Sequence, residues 1–331
     1  MKSIAGLGAS NPNVLPTIRS NARETRVIIG PTAAGKSAVA MELARRFDIA
    51  LISADSRQVY RGFDIGTAKP SAAERAEIQH FGVDVQDPRD RYSAHAWAVD
   101  SIGWMQQAAA VSKNVLIVGG TGFYVRALVR PLAAAPALDA GRRSSLERWL
   151  NAQSLDELRR FAVRLDAARA TLGRTQLERA IETALLSGTR LGDAHAGHRA
   201  RTAEEGTSGM PVRYLVVDPG VVLADRIRGR VHAMVDAGWI DEVCALLRDV
   251  PVTAPAWLAS GYDVMRRHVV GELTREAAIE KIIIETRQYA KRQRTWCRHQ
   301  LNEGPVTRVS TSDPRALDIA IAWWNGTEDV A

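Results

Sequence analysis

Short apolar runs bounded by glycine and polar residues alternate along this chain with longer stretches whose apolar residues recur at helical spacing. Arg26-Val-Ile-Ile29 is β-branched and ends in Gly30. The helix-forming run Ala38 to Arg46 follows a few residues later. Ile49 to Ala54, Val115 to Val118 and Arg213 to Val217 repeat the strand pattern, and a further strand fits between Phe81 and Val85. Runs this short and this apolar read as strands buried on both faces, and helices between them call for parallel pairing. Ser93 can cap a helix to about Val111, with Ala94, Trp97, Ala98, Ile102 and Met105 on its apolar side. The predicted fold class is α/β, a parallel-sheet core with helices on both faces.

The pattern changes between 131 and 200. Arg-rich helical segments there offer Leu146, Trp149, Leu150, Leu158, Phe161 and Leu165 as core positions, and Ser187-Gly188 stops the last helix. This segment reads as a smaller helical insert, or simply as a solvated bundle, since charge runs usually face water. Residues 201–211 read as a flexible connection and 1–25 as a disordered lead. The lead lacks acidic residues before Glu24, yet shows no amphipathic Arg-rich repeat of an organelle-targeting peptide. The core is thus predicted at 26–130 and 212–331. Thr274 to Gln300 reads as one long helix. Ile282, Ile283, Thr286, Tyr289, Ala290, Gln293, Trp296 and Cys297 make one face of it, and Arg287, Lys291, Arg294 and Arg298 another. Ser312-Asp-Pro314 opens a short closing helix toward Trp324.

Composition narrows the picture modestly. A chain of 331 residues, 46% hydrophobic and 24% charged, can bury a large core. No apolar run spans a bilayer, so a cytoplasmic protein without a membrane partner is expected. The formal charge of +7, carried mostly by arginine, suits a polyanionic partner. Cys244 and Cys297 lie far apart without metal-ligand or disulfide spacing, which fits a reducing compartment.

The candidate chemistry starts at Gly30-Pro31-Thr32-Ala33-Ala34-Gly35-Lys36-Ser37, a nucleotide-type phosphate loop of the ATP-binding kind, set between a strand and a helix. The N–H groups of Thr32 to Ser37 are expected to wrap a pyrophosphate, Lys36 to reach the terminal phosphate and Ser37 to ligate Mg²⁺. The next strand ends at Asp55, which places a carboxylate beside that loop. Val115 to Val118 ends in Gly119-Gly120-Thr121 where a nucleotide hydrolase carries an acidic metal ligand. Asp55 is then free to act as a general base, or it caps a following helix.

Three stretches together resemble the bacterial tRNA dimethylallyltransferases. They are Gly30 to Ser37, Asp55-Ser-Arg-Gln-Val-Tyr-Arg-Gly-Phe-Asp-Ile-Gly-Thr-Ala-Lys-Pro70 and Val118-Gly-Gly-Thr-Gly-Phe-Tyr124, and Thr286 to Trp296 adds a fourth. The similarity runs from about Val27 to Arg298. It implies that the loop holds the diphosphate of dimethylallyl diphosphate with Mg²⁺, and that the acceptor is N6 of the adenosine just 3′ of the anticodon. By position, Asp55 matches the general base, Thr121 a residue touching both amine and diphosphate, and Arg226 the diphosphate-binding arginine. Asp55, Ser56, Arg57 and Gln58 match one tRNA-contacting segment, and Thr121 is counted with the tRNA contacts as well. Gln176, Leu177, Glu178, Arg179 and Ala180 match the second, and Arg143 a tRNA-contacting arginine. The resemblance also implies that the insert clamps the anticodon arm of tRNA, and the enzyme is expected to act as a monomer.

The chain departs from that family in three places. The turn before Gln176 is shortened to Thr171-Leu-Gly-Arg-Thr175, Pro219-Gly220 replaces an arginine, and Leu258 stands where the Arg-Ala-x-Gly-Tyr signature has its arginine. A small-molecule kinase, a nucleotide-dependent RNA-binding switch and a prenyltransferase acting on free adenine nucleotide are the competing readings.

Overall fold

The computed structural model describes residues 24–130, 140–193 and 210–327. The predicted lead falls outside these residues except for Glu24 and Thr25, and the predicted connection except for Met210 and Pro211. The chain divides into two compact units, one holding 131–208 and the other built from the residues on either side of it.

The larger unit is organised by six parallel strands: β1 (Thr25–Ile29), β2 (Ile49–Ala54), β3 (His80–Phe81), β4 (Asn114–Gly119), β5 (Val212–Val217) and β6 (Val306–Val309). Their order in the sheet is β3-β2-β4-β1-β5-β6. β1 thus lies at the middle, with Ile28 in register with Val118 on one side and Leu215 on the other. Val27 and Ile28 have no exposed surface, which is what a doubly covered strand requires of an unbroken apolar run.

Helices α1 (Lys36–Phe47), α2 (Ala72–Glu77), α3 (Ala94–Ala110) and α4 (Gly122–Val129) follow the first strands. One face of the sheet, through Ile28, Leu51, Leu116 and Leu215, joins Val39, Leu43 and Ala44 of α1 and the two tryptophans Trp323 and Trp324 in one core. Those tryptophans belong to a closing helix that starts at Ala316, two residues later than Pro314 suggested. The other face carries α3 and α4, and Trp97 of α3 donates its indole N–H to Ser53 O at 2.9 Å. Ser93 caps α3 through the Ala96 N–H, as its sequence predicts. β3 is shorter than the apolar pattern suggested. The chain turns away at Gly82 and Asp84, both left-handed, so no strand continues to Val85.

The smaller unit contains α5 (Ala140–Ala152), α6 (Leu155–Leu165) and α7 (Arg174–Ser187). Its core is Leu150, Leu158, Ala162, Leu177 and Ile181, with Leu146 and Leu165 at its margin. Trp149 and Phe161, expected inside, are each 38% exposed and meet edge to face at 4.9 Å. They sit at the rim because Ala162 and Leu177 already fill the space between the helices.

The larger unit is completed by α8 (Leu223–Asp236), α9 (Trp239–Asp249), α10 (Tyr262–Val269), α11 (Arg275–His299) and α12 (Ala316–Asn325). Thr274 caps α11 through the Ala277 N–H at 3.2 Å, and the helix runs 25 residues. Among the described residues, no helix is long and apolar enough to cross a membrane.

Candidate active site at the carboxyl edge of the sheet

Parallel strands all end on the same edge, and the sheet order decides what meets there. Across the middle of that edge come Asp55 after β2, Thr121 after β4 and the phosphate loop after β1. Adjacent strands lie roughly 4.8 Å apart. Thr121 therefore follows the strand that lies between those of the carboxylate and the loop. A cavity of about 1280 Å³ opens over this edge, lined by residues 32–37, Asp55, Gln58, Arg230, Tyr289 and Gln293 among others.

The loop is bent by two left-handed residues, Ala33 at φ 61° and Gly35 at φ 91°. Such turns point successive N–H groups inward, and the first turn of α1 leaves further N–H groups without intrahelical acceptors. Two of the expected phosphate donors are already used inside the protein. The Thr32 N–H donates to Gln293 Oε1 at 2.8 Å, and the Ala34 N–H to Pro31 O at 3.3 Å. The first is taken by α11, which lays a buried amide across the loop, and the second by the loop's own turn. The Ala34 side chain is itself fully buried, and Gly30 packs closely against β5 at Val217. This leaves the N–H groups of Ala33 and of Gly35 to Ser37 as the anion-binding set.

Three cations converge on the loop. Lys36 Nζ donates to Pro31 O at 2.7 Å, and burial together with the neighbouring Arg230 pushes its pKa down to about 8. Arg226 of α8 reaches Thr311 Oγ1 at 2.6 Å and Ala34 O at 3.4 Å, both neutral oxygens. Arg230 follows one turn later, and burial lowers its pKa too. Burial thus disfavours the charge of both Lys36 and Arg230, which suits a place that receives a polyanion. Arg226 was legible from its motif. Arg230 was passed over, although its four-residue spacing from Arg226 puts both on one helix face.

Asp55 does not cap a helix. No helix starts at Asp55, the next being α2 at Ala72; instead Asp55 Oδ1 accepts the Arg57 N–H at 2.8 Å, closing a local turn that fixes the carboxylate. Thr121 Oγ1 accepts the Ser56 N–H at 3.0 Å, so the segments after β2 and β4 are tied together. Gln58 uses its whole amide internally. Its Oε1 accepts from Ser53 Oγ at 2.8 Å and its Nε2 donates to Ala68 O at 2.9 Å. It shapes the wall, and its side chain has little left to offer an RNA.

The Asp64 to Pro70 segment is held from below. Glu242 Oε2 accepts the N–H groups of Asp64 and Ile65 at 3.0 and 2.8 Å, while Tyr262 O–H donates to Glu242 Oε1 and accepts the Gly66 N–H. Burial, with Glu242 beside it, raises the Tyr262 pKa and keeps the phenol protonated. Lys69, 2% exposed along its side chain, joins Asp64 and Asp84. These contacts fix the Asp64 to Pro70 segment through its backbone and its charged side chains.

The residues of the smaller unit fare differently. Arg143 Nε binds Glu182 Oε1 at 2.6 Å, and that glutamate is only 5% exposed. Leu177 and Ala180 are fully buried, so of the segment Gln176 to Ala180 they belong to the unit's interior. Gln176 Oε1 accepts the Gly173 N–H at 3.3 Å at the start of α7, and Glu178 pairs with Arg174 at 2.9 Å. Arg179 is exposed. Arg174 also donates to Gln153 O at 2.6 Å and to Leu150 O at 3.3 Å, closing the end of α5. In the long helix, Arg294 is likewise bound, to Asp218 and to Gly220 O at 2.6 Å, which removes it from the basic stripe.

Fold and site together are those of a phosphate-loop enzyme, with three cations at the loop and a fixed carboxylate one strand beyond the intervening threonine. The IPP transferase family model matches residues 58–300, and the Isopentenyl transferase model matches residues 23–84. A protein of Geobacter metallireducens named tRNA dimethylallyltransferase is 38% identical over 285 residues, covering 83% of this chain and 90% of its own. One of Halorhodospira halophila with the same name is 38% identical over 280 residues, covering 82% and 89%. The solved full-length tRNA isopentenylpyrophosphate transferase of Bacillus halodurans aligns at TM-score 0.63 with 29% identity, over 92% of this chain and 95% of that one. A eukaryotic dimethylallyltransferase solved while acting on tRNA aligns at TM-score 0.72 over 92% of this chain and 79% of that one, and at 22% identity it supports the fold alone. This chain belongs to the IPP transferase family.

Proposed function

We propose that this protein transfers the dimethylallyl group of dimethylallyl diphosphate to N6 of the tRNA adenosine 3′-adjacent to the anticodon, releasing diphosphate. The observation that carries the reading is the row along the sheet edge, with unpaired cations at the loop, Thr121 beside them and Asp55 beyond. The names of the curated relatives support tRNA as the acceptor.

In this reading the diphosphate lies on the N–H groups of Ala33 and Gly35 to Ser37. Lys36, Arg226 and Arg230 stabilise the charge that builds on it as the C1–O bond breaks. The N6 lone pair attacks C1 from the Asp55 side. Asp55 accepts the amine proton as the C–N bond forms, since an aromatic amine is too weak an acid to release it earlier. Thr121 lies where it can touch both reacting ends. The adenosine leaves its stack to reach this edge. Exposed cations such as Arg179 serve the RNA backbone, whereas Arg143 supports the helices that carry them.

Among the described residues, no group of three His, Cys, Asp or Glu side chains could hold a metal. Mg²⁺ fits nonetheless, because it typically binds through substrate phosphates, water and one or two protein oxygens, and Ser37 is exposed at the head of α1. Bound there, the ion would supply charge neutralisation on the leaving diphosphate.

The test incubates the protein with labelled dimethylallyl diphosphate and offers tRNA, AMP or ATP as acceptor. Label entering tRNA alone is the expected result. Label entering AMP or ATP would move the activity to free nucleotides, and phosphate transfer from ATP to a small molecule would make the protein a kinase.

A further inference from the structure

One side chain of the long helix α11 reaches the phosphate loop. Gln293, 7% exposed, accepts the Thr32 N–H on its Oε1 at 2.8 Å and donates from its Nε2 to Gly120 O at 2.9 Å. Both partners are backbone groups, one only a donor and the other only an acceptor, so they fix which way round the amide lies. A Cβ at position 120 would collide with the same Nε2, and the bare glycine after β4 is what lets the amide in. The Pro31–Thr32 peptide unit is thereby held at both ends. Its carbonyl takes Lys36 Nζ at 2.7 Å, and its N–H is taken by Gln293. In loops of this pattern the lysine reaches the outer phosphates. Lys36 therefore marks the Pro31–Thr32 end of the loop as the place of the last phosphate, and Gln293 stands at that end.

We infer that Gln293 sets the length of phosphate chain the loop accepts, admitting a diphosphate and excluding the third phosphate of a nucleoside triphosphate. This rests on the reading that the loop holds the diphosphate of the donor. The N–H groups of Ala33 and of Gly35 to Ser37 remain for two phosphates, once Thr32 and Ala34 have their internal partners. A third phosphate extends the chain past Lys36 toward Thr32. There it meets the amide Oε1 in place of a free N–H. A phosphate oxygen against a carbonyl oxygen is repulsive, and expelling the amide strips Gly120 O and Gln293 of each other. Charge alone points the opposite way, because converging cations favour the ligand that carries more negative charge. The exclusion therefore lies in the placing of one side chain. It keeps a triphosphate from occupying the donor's loop as a dead-end inhibitor.

The test is calorimetric titration of the full chain with inorganic diphosphate and with inorganic triphosphate, each in excess Mg²⁺, for the wild type and for Gln293→Ala. In the wild type, triphosphate is expected to bind no tighter than diphosphate despite its greater charge. In Gln293→Ala the Thr32 N–H and the space of the amide are free. The preference should then shift toward triphosphate by roughly tenfold or more, the scale of one charge-assisted hydrogen bond. The wild-type comparison needs no variant, so it decides the matter even where the alanine protein fails to fold. A wild type that binds triphosphate tighter than diphosphate overturns the inference. So does a folded Gln293→Ala protein whose preference is unchanged, or one that no longer binds diphosphate, while the site reading stays in place. A wild type that binds neither anion instead overturns the reading of the loop, and the inference with it.

Discussion

The loop site and the helical unit are both rich in cations, but they hold them in opposite ways. In the helical unit Arg143 is bound to buried Glu182, and Arg174 to Glu178 and to carbonyls at the end of α5. At the loop, Arg226 rests on neutral oxygens, while Lys36 and Arg230 have their pKa values lowered by burial. Paired cations are structure; cations held without a carboxylate are a binding site waiting for charge. A count of arginines, which made the insert look like the basic surface, cannot tell these two apart.

The largest effect should follow from removing a loop cation. Lys36→Ala is expected to slow transfer by roughly 10³-fold at saturating donor, the upper range for losing one preorganised stabilising group. RNA binding, measured by filter retention or anisotropy, should hardly change. Near-normal turnover in this variant would break the assignment of the loop.

Arg143→Ala tests the other half of the comparison. Its loss strands a buried carboxylate, so the protein should lose about 2 kcal/mol or more of stability, read from denaturant midpoints. A stable variant whose only defect is weaker RNA binding would return Arg143 to the RNA surface that its motif implied.

The lowered pKa of Lys36 gives a smaller effect with a definite sign. In the free site its pKa is about 8, and a bound diphosphate raises it. Donor binding therefore takes up a proton above that pH, and donor affinity should fall by up to about tenfold per pH unit there. Stability runs the other way. The folded pKa lies below the unfolded value of 10.5, so the donor-free protein sheds this proton first and gains stability as pH rises from about 8 toward 10.5. Calorimetric titrations and melts across that range read both slopes, and donor affinity that is flat through pH 8 would contradict the lysine's role. The smallest effect belongs to exposed Arg179, where Ala should weaken RNA binding a few-fold and lower its salt slope by roughly one.

Strands and their ends were legible because each buried strand is an unbroken apolar run and the chemistry sits where the run stops. Ile49 to Ala54 is β2, and Asp55 falls at the sheet edge as that pattern required. Residues whose value depends on a distant partner were not legible. Gln293 looked like packing on a helix face, since nothing in the local sequence says that the loop and Gly120 lie beneath it. Gln58 and Arg294 looked available because their partners, Ala68 O and Asp218, come from other turns and strands. Leu177 and Ala180 sit in a motif but point inward, a distinction set by which helix packs on α7. Asp55 read as a general base or as a helix cap, and the local turn it closes with the Arg57 N–H removes the cap reading.

The central claim is that Asp55 takes the amine proton, and Asp55→Asn isolates it. Asparagine keeps the oxygen that accepts the Arg57 N–H, so the turn and the fold are retained. Single-turnover transfer from dimethylallyl diphosphate to tRNA, with both substrates saturating, reads the chemical step free of product release. The account predicts a rate lowered by roughly 10²-fold or more with an unchanged melting temperature. An Asn variant that transfers at close to the wild-type rate would contradict it and leave the reaction without its base.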